Sequence, residues 1–268
     1  MKIRDVLLYC IVLCLNACGA SDAEKAAVLV SEARVLVLDG EWRSARFLLD
    51  SVHSTYPGEV AHRRLAKALE DSIVYLEAQK SMAYADSVLP VLESRVDVLL
   101  KEFRYEKEEA YEDAGRYVHR LLSTGSNTSR NFLQAYVRDD RVTIVKSYYY
   151  GSVSMCQQSL SLRSNDEEVS FSGSNHAFEL EGWHEIMTLE DESALRLLNF
   201  VSAHMTDRIR VKGVGDKDHK TWVYYLNDKE KESLSKTYEL GWLMKDIKVA
   251  EDIRNKSYRQ IERYESNH

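Results

Sequence analysis

Val142-Thr143-Ile144-Val145-Lys146-Ser147-Tyr148-Tyr149-Tyr150-Gly151 is the stretch at which the chain changes its period. Val142, Ile144 and Tyr148 alternate with Thr143, Val145 and Ser147, a spacing of two in residues that suit a pleated surface, and Gly151 ends the run. Before this stretch the apolar residues recur at helical spacing; in it, and in most of the segments that follow as far as Leu226, they alternate. The order of patterns reads as an α+β chain: an elongated helical body, a small antiparallel sheet domain, and a long C-terminal helix.

Working toward the C-terminus, residues 159–163 and 168–172 form a hairpin across Ser164-Asn165-Asp166, and 177–180 and 183–187 supply two further strands. Thr188, with Asp191 three residues on, has the form of an N-cap and capping box for a helix through Leu195, Leu198, Phe200, Val201 and Met205. Residues 207–214 and 221–226 then read as two strands. Residues 126–226 form the α+β domain on this count, set off by the polar run 123–129. Asn227 or Asp228 caps the last helix, 227–268. Its stripe of Leu234, Tyr238, Leu240, Leu243, Ile247, Ala250 and Ile253 is expected to pack on the helical region.

Working toward the N-terminus, the region 26–125 is expected to be helical. Ala26, Leu29, Val30, Ala33 and Val37 share one face, and Asp39-Gly40 ends that helix. Trp42, Ala45, Leu48, Leu49 and Val52 mark a second helix that Tyr56-Pro57-Gly58 closes. A third runs from residue 59 through Leu65, Leu69, Ile73, Leu76 and Ala83, with Pro90 either breaking it or opening the next. Leu92, Val96, Leu99 and Phe103, then Ala110, Ala114, Tyr117 and Leu121, extend the stripe, with 101–113 as a solvated helix flank.

Two resemblances follow. Ala33, Gly40, Trp42, Ala45 and Tyr56-Pro57 resemble a tetratricopeptide (TPR) hairpin over residues 22–57, without that family's usual first-helix Trp and Leu-Gly. The later stripe is similar to a coiled-coil seam that slips near Glu106.

Lys2 and Arg4 precede an apolar run from Val6 to Leu15, too short to span a bilayer as a mature anchor. Leu15-Asn16-Ala17-Cys18 resembles the lipobox of bacterial lipoproteins, with Asn16 its less common member. The resemblance implies that 1–17 is a signal peptide, that Cys18 carries lipid, and that 18–25 is a short tether. Two or more acyl chains make such an anchor durable. Gly19 after Cys18 and the acidic tether, loosely similar to export signals of Bacteroidota surface lipoproteins, point to the outer membrane and leave its face open. Processing would move the formal charge from −7 to −8 and leave Cys156 as the one free cysteine.

Thirty-six Lys and Arg against 43 Asp and Glu, in 268 residues, disfavour nucleic acid as a partner. With one cysteine left, no disulfide and no cysteine-based metal cluster is expected. His184-Glu185 begins like a zinc-peptidase motif, but the required second histidine is replaced by Thr188. Gly213-Val214-Gly215 lacks the lysine and helix of a phosphate loop, and no Gly-x-Ser-x-Gly elbow is present. Neither a metal nor a cofactor is expected. Glu179, Glu181 and Glu185 are the acids a glycan- or peptide-processing hydrolase would draw on, since glycoside cleavage needs two carboxylates across one bond.

Sixteen tyrosines and four tryptophans remain. Such rings offer contact area with a polar handle, and Trp222, Tyr224, Tyr148, Tyr150 and Trp183 are the candidate binding surface. The expectation is a non-enzymatic envelope lipoprotein that binds a protein or glycan partner or joins a surface assembly. A hydrolase and a structural spacer are the alternatives, and the oligomeric state stays open.

Overall fold

The computed structural model describes residues 21–107, 114–122, 130–216 and 220–267. The lipobox, Cys18 and the segment before it lie outside them, as do Ala110, Asp113 and the polar run 123–129. The chain is α+β, with five helices and two antiparallel sheets among the described residues, and it divides into two compact units.

The first unit comprises residues up to Ala85 and from Ile253 onward. Helix α1 (Asp22–Leu38) opens on a capping box: Ser21 Oγ accepts the Glu24 N–H, and the Glu24 carboxylate accepts the Ser21 N–H at 2.7 Å. Gly40, at φ +80°, reverses the chain after Asp39, where a side chain would be strained. Helix α2 (Trp42–Thr55) returns along α1, and α3 (Val60–Leu99) follows. Ala26, Ala33, Ala45 and Ala66 are fully buried beside Leu49 and Ile73. Those small side chains let the backbones approach, while each buried leucine or isoleucine contributes about 1.5–3 kcal/mol. In the same unit Tyr75 stacks on Tyr264, with ring centroids 4.4 Å apart.

The second unit runs from Asp86 to Asp252. Helix α3 continues through Pro90 and ends neither there nor just before it. Pro90 has no N–H for the Asp86 carbonyl, a loss that burial of Leu89, Val96 and Leu99 offsets. The helical stripe stops at Leu99, short of the expected 125. Phe103–Glu106 is strand β1 and Arg116–His119 is strand β2, paired antiparallel. Spacing misleads here because Phe103, Tyr105, Tyr117 and Val118 also suit a strand. Cross-strand packing decides: Phe103 meets His119 edge-on at 5.1 Å, and Tyr105 lies 5.2 Å from Tyr117.

Strands β3 (Phe132–Arg138), β4 (Thr143–Gly151), β5 (Gln157–Ser164), β6 (Glu167–Phe171), β7 (Ser174–Glu179) and β8 (Trp183–Glu190) follow; helix α4 (Asp191–Ala203), β9 (Arg210–Gly215), β10 (Thr221–Tyr225) and helix α5 (Asp228–Glu265) complete the chain. One sheet has the order β1-β2-β3-β4-β8-β7 and the other β10-β9-β5-β6, so the strands do not form one small sheet. Thr188 is no N-cap. The β4–β8 ladder runs unbroken from Gly151↔Trp183 to Ile144↔Glu190 and draws Thr188 into the strand opposite Lys146, so α4 begins at Asp191. Asn227 does cap α5, accepting the Glu230 N–H at 2.9 Å while Glu230 accepts that of Asn227.

Leu133, Val145, Met187 and Leu189 of the six-stranded sheet share one core with Leu160, Leu162 and Val211 of the other. Leu197, Leu198 and Val201 of α4 fill it. The end of α3 packs on α5 in a second core of Leu89, Val96, Leu99, Leu240, Leu243 and Ile247. Thus the terminal helix finds its helical partner in the segment that ends at Leu99.

Candidate binding face

Alternation along β10 separates Trp222 and Tyr224 from Val223 and Tyr225, and the structure turns the first pair inward. Trp222 is 7 % exposed and lies in the core, its ring 6.2 Å from Tyr149 and 5.9 Å from Tyr224. Opposite it on β9 stands Gly213, where a Cβ would come within 2.3 Å of the indole. The Gly213-Val214-Gly215 run thus provides the space that Trp222 fills. Both residues leave the candidate surface, because this face of β10 is the one that the sheet-on-sheet core covers. Trp183 is half-buried against the same core.

Tyr148 and Tyr150 point to the opposite, outer face of the six-stranded sheet. Tyr148 is held in place: it stacks on Phe132 at 4.3 Å with planes 3° apart, its hydroxyl donates to Gln134 Oε1, and burial pushes its pKa up to about 12. Tyr150 belongs to a ladder that the sequence reading missed. In register with it lie His184 on β8 and Phe178 on β7. The Phe178 and His184 rings stack at 5.0 Å with planes 6° apart, Tyr150 tilts against His184 at 4.9 Å, and His176 follows at 6.0 Å from Phe178. Phe178 is 39 % exposed and Leu180, just beyond it, 65 %. The signal was present in Asn175-His176-Ala177-Phe178, whose alternation puts imidazole and ring on one face.

The tip of this hairpin is fixed by its own polar groups. Tyr150 Oη donates to the Glu181 carbonyl at 3.0 Å, His184 Nε2 donates to the Leu180 carbonyl at 3.0 Å, and the Leu180 N–H reaches the Gly182 carbonyl at 2.8 Å. Glu181 sits at φ +53° and Gly182 at φ +144°, where a Cβ would run into the Tyr150 ring. The rings are therefore already ordered in the free chain, so contact at this face would not carry the entropy cost of ordering them.

The three acids do not converge on a bond. Glu179 and Glu181 are exposed at the hairpin, whereas Glu185 points to the inner face and is fully buried. Glu185 Oε1 accepts the N–H groups of Met155 and Cys156 and the Ser154 hydroxyl; Oε2 accepts the Gln157 N–H and the Asn175 amide. Burial alone would raise its pKa, but these donors together hold the carboxyl below the usual range. Glu185 is thereby spent on shaping the 154–157 loop.

Elsewhere in the second unit, a groove of about 450 Å³ holds Trp242 between Glu239 and Asp246, along with Tyr238 and Arg95. Glu239 of this groove is ion-paired with Arg95 at 3.9 Å. Among the described residues no group of His, Cys, Asp and Glu is arranged to hold a metal ion. No described helix is long and apolar enough to cross a membrane.

No family model, curated protein or solved structure matches the chain. The site is therefore read from its own geometry: a rigid, partly solvent-open ladder of rings on a sheet face, with the neighbouring carboxylates either exposed or consumed.

Proposed function

We propose that the chain is a non-enzymatic, lipid-anchored envelope protein that holds a protein or glycan partner on the outer face of its six-stranded sheet. The observation that carries this reading is the Tyr150–His184–Phe178 ladder, in which large rings are preorganised, Phe178 exposed and Tyr150 and His184 half-buried. The lipobox supports attachment through Cys18, and Gly19 supports the outer membrane. The α1–α2 hairpin would serve as a TPR-like element of the helical part. A hydrolase reading gains nothing from Glu179, Glu181 and Glu185, because the one buried carboxylate is already saturated with donors.

Two measurements test the proposal. Palmitate labelling of the native host should mark the wild-type chain and not Cys18→Ala; equal labelling refutes the anchor. Affinity capture from native envelope should recover one protein or glycan that survives about 0.5 M salt, where exposed charge contacts are screened. Tyr150→Ala with Phe178→Ala should reduce that capture by about tenfold or more without unfolding the chain. Undiminished capture would move the site off the ladder. Turnover of an envelope polysaccharide or peptide would refute the non-enzymatic reading.

A further inference from the structure

The ladder ends at an open sheet edge. Strand β7 is outermost in the six-stranded sheet, paired with β8 on one side, and all six of its residues are exposed. Alternate backbone N–H and C=O groups of an edge strand point away from its neighbour and offer a template for another strand. Folded proteins blunt such edges with short strands, lysines or proline. The opposite edge of this sheet is so treated: β1 has four residues and carries Arg104 and Glu106, ion-paired at 3.5 Å. Strand β7 has neither lysine nor proline, and its single charge, Glu179, comes at its end.

A second observation gives the sign of whatever pairs there. From Ser164 to Leu195 the chain has nine Asp and Glu and neither Lys nor Arg. Glu185 is buried and saturated, and Glu167 lies 3.2 Å from His204, but Glu179 and Glu181 flank the end of β7, exposed. A cation placed beside this edge meets the negative charge of Glu179 and Glu181, whereas an anionic polymer is repelled.

We infer that β7 takes up an extended, basic segment of a partner protein by strand addition. The inference rests on the binding reading above and names the partner's chemistry. Main-chain hydrogen bonds to β7 supply affinity, every second side chain of the added strand lies beside His176 and Phe178, and its cations meet Glu179 and Glu181. A sugar can stack on Phe178, but it lacks the regular row of amides that the edge matches.

The test uses the full chain and a short peptide alternating lysine with valine. Its controls are the same peptide N-methylated at alternate residues along either edge and a counterpart with glutamate for lysine. The lysine peptide should slow hydrogen exchange at alternate amides within 174–179. N-methylation along the pairing edge, or exchange of lysine for glutamate, should each weaken it by about tenfold or more, roughly 1.4 kcal/mol. Glu179→Lys should reverse the preference between the two charged peptides. Binding without protection at 174–179, or equal binding of both charged peptides, overturns the inference. If envelope capture depends on Phe178 while the lysine peptide does not bind, strand addition fails and the binding reading stands. If ladder-dependent capture fails too, both fall.

Discussion

Glu185 Oε1 accepts the backbone N–H of Cys156 at 2.8 Å, and Cys156 sits at φ +48°, in the left-handed region that side chains disfavour. The loop before β5 keeps that conformation because one carboxylate gathers the successive N–H groups of Met155, Cys156 and Gln157. Such a concavity of backbone donors is an anion site, filled here by the chain's own side chain.

This arrangement makes stability depend on Glu185. Glu185→Ala leaves buried donors without an acceptor and should cost about 3 kcal/mol or more, read from urea denaturation. The folded pKa lies below the ordinary value of 4.5. The contribution is therefore fully present above the unfolded pKa and is lost as pH falls through the folded one. Wild type should lose stability below about pH 4.5, the ordinary glutamate range, more steeply than Glu185→Gln. Parallel curves would show that the carboxylate charge is immaterial.

The two kinds of aromatic residue separate by stability. Trp222→Ala empties core space over Gly213 and should cost about 3–5 kcal/mol. Phe178→Ala removes a ring stacked at the surface and should stay within about 1 kcal/mol. Equal costs in denaturant titrations would mean that the ladder is core and that the proposed face is closed.

Gly241 tests the packing of α5 on the sheet. A Cβ there would lie 2.5 Å from Thr143 Oγ1 and 3.2 Å from Leu195 Cδ2. Alanine favours a helix over glycine by about 1 kcal/mol, yet overpacking costs about 1–3 kcal/mol. Thr143 is buried and β-branched, so it gives way poorly. Gly241→Ala should therefore lower stability by about 1–2 kcal/mol, and adding Thr143→Ala should recover part of it. A rise in melting temperature for Gly241→Ala alone would show that helix propensity outweighs the clash.

Much of the secondary structure was legible because its causes are local. The Ala26–Val37 stripe, the Gly40 reversal, the hairpin across Ser164-Asn165-Asp166 and the Asn227 cap each follow from side chains within a turn or two of the residues they organise. The misreadings fell where a local pattern served two structures. Leu92, Val96, Leu99 and Phe103 keep helical spacing into a residue that pairs with His119 in a sheet. Thr188 and Asp191 imitate a capping box inside a ladder fixed by Lys146 and its neighbours across the strand. Strand β3 was missed altogether: Gln134 and Arg138 alternate with Leu133, Ala135 and Val137, but the buried rings of Phe132 and Tyr136 on the polar side blur the period.

The α+β class, the order of most elements, the aromatic supply and the acidic stretch from Ser164 to Leu195 follow from the order of residues alone. That order also placed Trp222 and Tyr224 together on one face and Tyr148 and Tyr150 together on another, because alternation is a local property of the backbone. Which of those faces is covered is set by long-range packing. Burial depends on a second sheet and on α4, residues far away in the chain, and their packing sends Trp222 inward, commits Glu185 to a loop, and leaves Tyr150, His184 and Phe178 at the surface.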